Sequence, residues 1–160
     1  MTPVSDDTPP ARLQALTSRL LTRTATRTHR LVAGRLAEAG ATRYHYSLLA
    51  AAAEFGPASQ AELGRRCGLD RSDVVATVNE LAAQDLVRRS PDPADRRRNT
   101  ITITPAGTRA LGRLDAVLAD TQDELLAPLS PEERGELARL LTVLLTHHDR
   151  PDPGPGEPAP

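Results

Sequence analysis

Between residues 11 and 148 apolar side chains recur at helical spacing, interrupted by short stretches that carry helix-stop and helix-start residues. Leu13, Leu16 and Leu20, and less regularly Leu31 and Leu36, mark one face of a helix predicted over 11–39 and ended by Gly40. Its other face carries Arg12, Arg19, Arg23, Arg27 and Arg30, either a solvated face or one that meets phosphates. A second helix is predicted from Thr42 to Phe55, with Tyr44, Leu48, Ala51 and Phe55 in register and Gly56-Pro57 as its stop. Ser59 with Glu62 three residues on has the spacing of a capping box and opens a short helix ending at Gly68. Asp70 as N-cap, with Leu69 and Val74 at N′ and N4, starts the next helix, which runs to about Ala83. Two helices separated only by Cys67-Gly68-Leu69 must cross sharply, because so short a turn cannot let them splay. This is a helix-turn-helix.

The period then changes. Leu86-Val87-Arg88-Arg89 reads as a short strand and Asn99-Thr100-Ile101-Thr102-Ile103 as a second, alternating polar and apolar. The connection Ser90-Pro91-Asp92-Pro93-Ala94-Asp95-Arg96-Arg97-Arg98 is a charged, proline-punctuated hairpin tip, that is, a wing. Thr104-Pro105 opens a fifth helix as N-cap and N1, carrying Leu111, Leu114, Val117, Leu118, Leu125 and Leu126 down to Pro128. Ser130-Pro131-Glu132-Glu133 combines a capping box with Pro at N1 and opens a sixth through Leu137, Leu140, Leu141, Leu144 and Leu145. The fold class is mainly α, an α+β winged helix-turn-helix lobe with further helices before and after it.

Composition narrows this picture. The 160 residues fit one domain or two very small ones, and only Tyr44, Tyr46 and Phe55 are aromatic, so the core is built from Leu, Val and Ala. All twenty basic residues are arginine, whose planar fork suits phosphate and guanine. The formal charge of −1 hides polarity: residues 1–50 carry seven Arg against Asp6, Asp7 and Glu38, net +4, whereas residues 120–160 carry three Arg against nine acids, net −6. Cys67 is alone, so neither an internal disulfide nor a structural zinc site is expected, and packing is its expected role. Adjacent His147 and His148 point different ways on a helix and find no third ligand; no metal or other cofactor is expected. No apolar run is long enough to cross a bilayer, and a cytoplasmic chain without membrane contact is expected. Residues 1–10 and 149–160, rich in Pro, are expected to be a disordered arm and tail. There is no Gly-rich phosphate loop, nucleophile elbow or repeated His/Asp/Glu spacing, so no enzymatic activity is expected.

Three segments, Ala61-Glu62-Leu63-Gly64-Arg65-Arg66-Cys67-Gly68-Leu69-Asp70-Arg71-Ser72, Asp92-Pro93-Ala94-Asp95-Arg96-Arg97 and Ile103-Thr104-Pro105-Ala106-Gly107, stand in a joint register over residues 45–107. In that register the chain resembles the winged helix-turn-helix of the MarR family of bacterial transcription regulators. The expected division is 11–40 for a first dimerisation helix, 41–104 for the DNA-binding domain and 105–148 for C-terminal dimerisation helices.

The helix after Asp70 is the one whose start is exposed between two other elements, so it is expected in a DNA major groove, with Arg71, Ser72, Asp73, Val75, Ala76 and Asn79 near base edges. Arg71 suits guanine, Asn79 adenine and Val75 a thymine methyl, while Asp73 either caps the helix or accepts from cytosine. Similar proteins often have basic residues where this chain has Ala76 and Glu80, so arginine matters less in its base readout. Ser59, Gln60 and Arg65 are candidate phosphate contacts. The resemblance implies an ion pair of Asp95 with Arg97 that holds the wing, and one of Arg96, Arg97 and Arg98 in the minor groove.

One winged domain buries too little DNA for tight specific binding, and the first, fifth and sixth helices carry more leucine than one small core needs. A homodimer on an imperfect palindrome of duplex DNA is therefore expected, acting as a repressor. The resemblance also implies a small anionic or phenolic effector. The polar cluster Arg43-Tyr44-His45-Tyr46, joined by His29, is the candidate site, against the simpler reading of Tyr44 in the core and its neighbours as plain polar residues. The alternative function is a winged-helix module that binds protein without specific DNA binding, which the acidic last helix keeps open.

Overall fold

Helix boundaries in the computed structural model, which describes residues 9–93, 95 and 99–149, largely follow the caps written in the chain. The described part of the chain forms two compact units, one up to Thr121 and one from Gln122 onward. The first holds α1 (Ala11–Gln14), α2 (Thr17–Glu38), α3 (Arg43–Phe55), β1 (Ala58–Ser59), α4 (Gln60–Cys67), α5 (Arg71–Ala83), β2 (Val87–Pro91), β3 (Asn99–Ile103) and most of α6 (Pro105–Leu125). The second holds the end of α6 and α7 (Pro131–His148). Most of the expected arm and tail, and Arg96, Arg97 and Arg98 of the wing, lie outside the described residues.

The single helix expected over 11–39 is interrupted: Leu16 has extended backbone (φ −77°, ψ 114°) and separates α1 from α2. Leu13, Leu16, Leu20 and Leu21 are all exposed, so no packing enforces continuity, and Thr17-Ser18 are weak helix formers that leave the break unopposed. Thr42, expected as the first residue of a helix, is the N-cap of α3. A second correction concerns its buried face. Leu48 and Ala51 are buried as expected, but Leu49 and Ala52 join them, while Tyr44 is half-buried and Phe55 is exposed beneath the Arg66 guanidinium, 3.9 Å from its ring centre. The stripe is rotated by one position, and the core that results is aliphatic: Leu36, Leu48, Leu49, Leu63, Val78, Leu81 and Ile101 are almost completely buried.

The three strands are antiparallel in the order β1-β3-β2, with Ala58 opposite Ile101 and Val87 opposite Ile103. The first strand to be expected begins at Val87 rather than Leu86 and reaches Pro91, and the two-residue β1 was not expected at all. Thr104 fastens the sheet to α6: its hydroxyl accepts from Gly107 N–H at 2.9 Å and donates to the Asp85 carbonyl at 2.6 Å. In the second unit the α7 capping box forms as expected, Ser130 accepting from Glu133 N–H and the Glu133 carboxylate from Ser130 N–H at 2.8 Å. No described residue of α7 is buried, and Leu140, Leu141, Val143, Leu144 and Leu145 are exposed.

Candidate nucleic-acid interface

Two local features set the crossing of α4 and α5. Gly68 adopts φ 62°, a left-handed conformation that costs glycine little, and this lets Leu69 N–H return to the Gly64 carbonyl at 2.9 Å. Gly64 itself lies where the helices touch: a Cβ there would stand 2.8 Å from Val74 Cγ2. Asp70 occupies the N-cap of α5, although its carboxylate makes no capping bond. Leu69 and Val74 pack into the same apolar cluster. At the start of α4, half of the expected capping box forms: Ser59 Oγ accepts from Glu62 N–H at 3.2 Å, while the Glu62 carboxylate turns to Arg66 at 3.1 Å. An i, i+4 ion pair outcompetes the backbone N–H for that carboxylate.

Helix α5 buries Val74, Thr77, Val78 and Leu81 on one side, which leaves Arg71, Ser72, Val75, Ala76 and Asn79 exposed and Asp73 half-buried. A cleft of about 680 Å³ runs along its N-terminal half. Ser59, Gln60, Arg65, Arg71 and Val75 all line it, so five residues expected at DNA share one concave surface. Asn99, at the foot of the wing, lines it too and was missed, because a lone Asn at the head of a strand carries no periodic signal. Arg89 was also missed: its Nη2 donates to Asn79 Oδ1 at 2.5 Å. Asn79 Oδ1 thus already accepts one hydrogen bond, and its second lone pair and both amide N–H hydrogens remain. Asp95 is exposed, and the ion pair expected with Arg97 falls outside the described residues together with Arg96 and Arg98.

The candidate effector residues are not gathered at one place. Arg43 and Tyr44 are partners of each other, with Nη2 donating to the phenol oxygen at 2.9 Å and the guanidinium 4.7 Å from the ring centre. His29 is exposed. Tyr46 donates to Asp115 of α6 at 2.9 Å, and burial, reinforced by that bond and by the carboxylate's charge, pushes the phenol's pKa up. His45 alone lines a cavity of about 270 Å³, together with Leu49, Leu81, Gln84, Leu86 and Arg113. Its ring is fixed by a capping box: Thr42 N–H donates to Nδ1 at 3.2 Å and Thr42 Oγ1 accepts from His45 N–H at 3.2 Å. Cys67 has the packing role expected of it, its thiol donating to the Ser47 carbonyl at 3.3 Å and its pKa raised by burial.

Residues 39–98 match the sequence profile of the MarR family. A protein of Thauera aromatica assigned as transcriptional regulator of the hcr operon is 36% identical over 105 residues, 66% of this chain and 63% of that protein. The chain belongs to the MarR family. That family consists of DNA-binding transcription regulators and not of enzymes. The HTH-type transcriptional repressor NicR of Pseudomonas putida is 30% identical over 104 residues, 65% of this chain and 66% of NicR. The matched stretch thus spans a little under two thirds of each relative's length. The PcaV regulator of Streptomyces coelicolor, solved in complex with its natural ligand, superposes with a TM-score of 0.72 at 26% identity, covering 88% of this chain and 99% of that one. Among the described residues no helix is long and apolar enough to cross a membrane.

Proposed function

We propose that this MarR-family chain is a ligand-responsive homodimeric repressor that binds duplex DNA in the cytoplasm. The observation that carries this reading is the cleft in which Ser59 and Gln60 at the start of α4 and Arg65 in its last turn meet Arg71 and Val75 of α5. Neutral donors and an arginine on one wall suit phosphates, and the exposed first turns of α5 suit base edges in a major groove. Arg71 then addresses guanine, Val75 a thymine methyl, and Ser72, Asp73 and Ala76 the bases between them. Asn79 addresses adenine, its amide N–H donating and the second lone pair of Oδ1 accepting. The wing, with Asp95 pairing Arg97 and an arginine from 96–98 in the minor groove, flanks the same site.

Residues 11–40 and 105–148 make the dimer in this reading, supported by the exposed leucines of α1 and α2 and by α7, which buries nothing of its own. Two copies present two α5 helices to half-sites about one turn of DNA apart, hence an imperfect palindrome. Repression is supported by the likeness to NicR, and a ligand response by the likeness to PcaV. The effector site is the cavity at His45, where apolar walls and the polar groups of Gln84 and Arg113 suit a small phenolic or carboxylic acid.

Fluorescence anisotropy of the chain on a duplex library, from 50 to 200 mM salt, tests this directly. A fall in affinity of about a thousandfold or more is expected for six or more phosphate contacts. Binding that is absent or indifferent to salt contradicts it and leaves the protein-binding module as the reading.

A further inference from the structure

Glu80, like Asp73, is a carboxylate on the helix proposed to face a polyanion, and it stands one residue beyond Asn79. Its side chain is 59% exposed, yet one of its oxygens stands 2.6 Å from Nε2 of His45, whose own side chain is only 10% exposed. The residues are 35 apart in the chain, and the bond joins α5 to α3. The ring's tautomer follows from its other nitrogen. Nδ1 faces the Thr42 N–H, a group that can only donate, so Nδ1 accepts and the ring hydrogen sits on Nε2, directed at Glu80. The bond is thus an N–H to carboxylate contact from a ring that cannot turn without breaking the cap of α3. Next to it, Asn79 is held by Arg89 from β2. The C-terminal half of α5 is gripped at adjacent positions from two different elements.

We propose that His45 is a positioning residue for DNA recognition: through Glu80 it fixes the angle at which α5 leaves the helical body, and Glu80 is present for this bond despite the cost of a negative charge on that helix. The inference rests on the reading of α5 as the DNA-reading helix. It also links the cavity to that helix, since His45 lines the first and holds the second.

Electrostatics alone and the proposed bond predict opposite signs for one substitution. Removing a carboxylate from a surface that meets phosphates strengthens binding to any duplex. Removing the bond to His45 loosens α5 and weakens binding only where side chains must match bases. In Glu80→Ala we therefore expect affinity for the duplex selected from a random pool to fall about tenfold, the scale of one charge-assisted hydrogen bond, while affinity for a scrambled duplex at the same salt stays or rises. Glu80→Gln keeps an acceptor for Nε2–H and should restore the preference between the two duplexes. His side-chain 1H–15N spectra give an independent readout: the wild type shows the Nε2–H tautomer for His45, protected from exchange, and Glu80→Ala loses that protection. A Glu80→Ala protein that binds the selected duplex as tightly as the wild type, or a Glu80→Gln protein no better than Glu80→Ala, overturns the proposal. A folded variant is recognised by its retained scrambled-duplex binding. If the wild type itself binds no duplex, the reading of α5 fails, which is a separate outcome from failure of the bond.

Discussion

Substituting Gly64 by alanine probes the crossing that aims the recognition helix. The added methyl would lie 2.8 Å from Val74 Cγ2, against an ordinary carbon–carbon contact of about 3.5–4.0 Å, so the helices must part by roughly 1 Å. Val74 cannot rotate away: it is only 3% exposed, and a helical valine has one strongly preferred rotamer. Overpacking of this kind costs about 1–3 kcal/mol. Alanine inside a helix instead gains about 1 kcal/mol over glycine. The net effect of Gly64→Ala is then a loss of up to about 2 kcal/mol. In a Val74→Ala background the obstructing methyl is gone, and the same glycine substitution should stabilise by up to about 1 kcal/mol. The two changes should accordingly couple by about 1–3 kcal/mol in a urea-unfolding double-mutant cycle. Additivity within about 0.5 kcal/mol would refute the contact, and with it the argument that Gly64 sets the helix crossing.

Arg65 lines the DNA-side cleft, and if it meets a phosphate in each half of a dimer, Arg65→Gln should reduce the slope of log affinity against log salt by about 2; an unchanged slope removes it from the phosphate contacts. For Cys67 the sign runs from burial to a raised thiol pKa, hence less thiolate near pH 8 in the folded chain than in the unfolded one. Alkylation by iodoacetamide should be slower in buffer than in urea at that pH, and equal rates would contradict the burial.

Much of the lobe was legible because its boundaries are written by single residues with one local job. Ser59, Asp70, Thr104 and Ser130 stand where helices begin, and Gly40 and Gly68 take the positive φ that ends them. What stayed hidden depends on partners far away in the chain. The strand β1 exists because Ala58 meets Ile101, and two residues have no period to read. His45 and Tyr46 are neighbours in sequence but bond to Glu80 and Asp115, so a polar run that reads as one cluster is pulled apart by helix geometry. Asn79 is held by Arg89, on a strand ten residues later, a contact that no local pattern announces. The break at Leu16 was hidden for the opposite reason: periodicity continues across it, but the described residues leave those leucines exposed.

In the proposed complex two copies of the chain read one duplex with paired helices and wings. Selection of bound sequences from a random duplex pool, followed by mass measurement of the winning complex, addresses it most directly. Two chains per duplex and an imperfect palindrome whose half-sites lie about one helical turn apart are expected. A pool that stays random after repeated rounds, or a single chain on an asymmetric site, would contradict it.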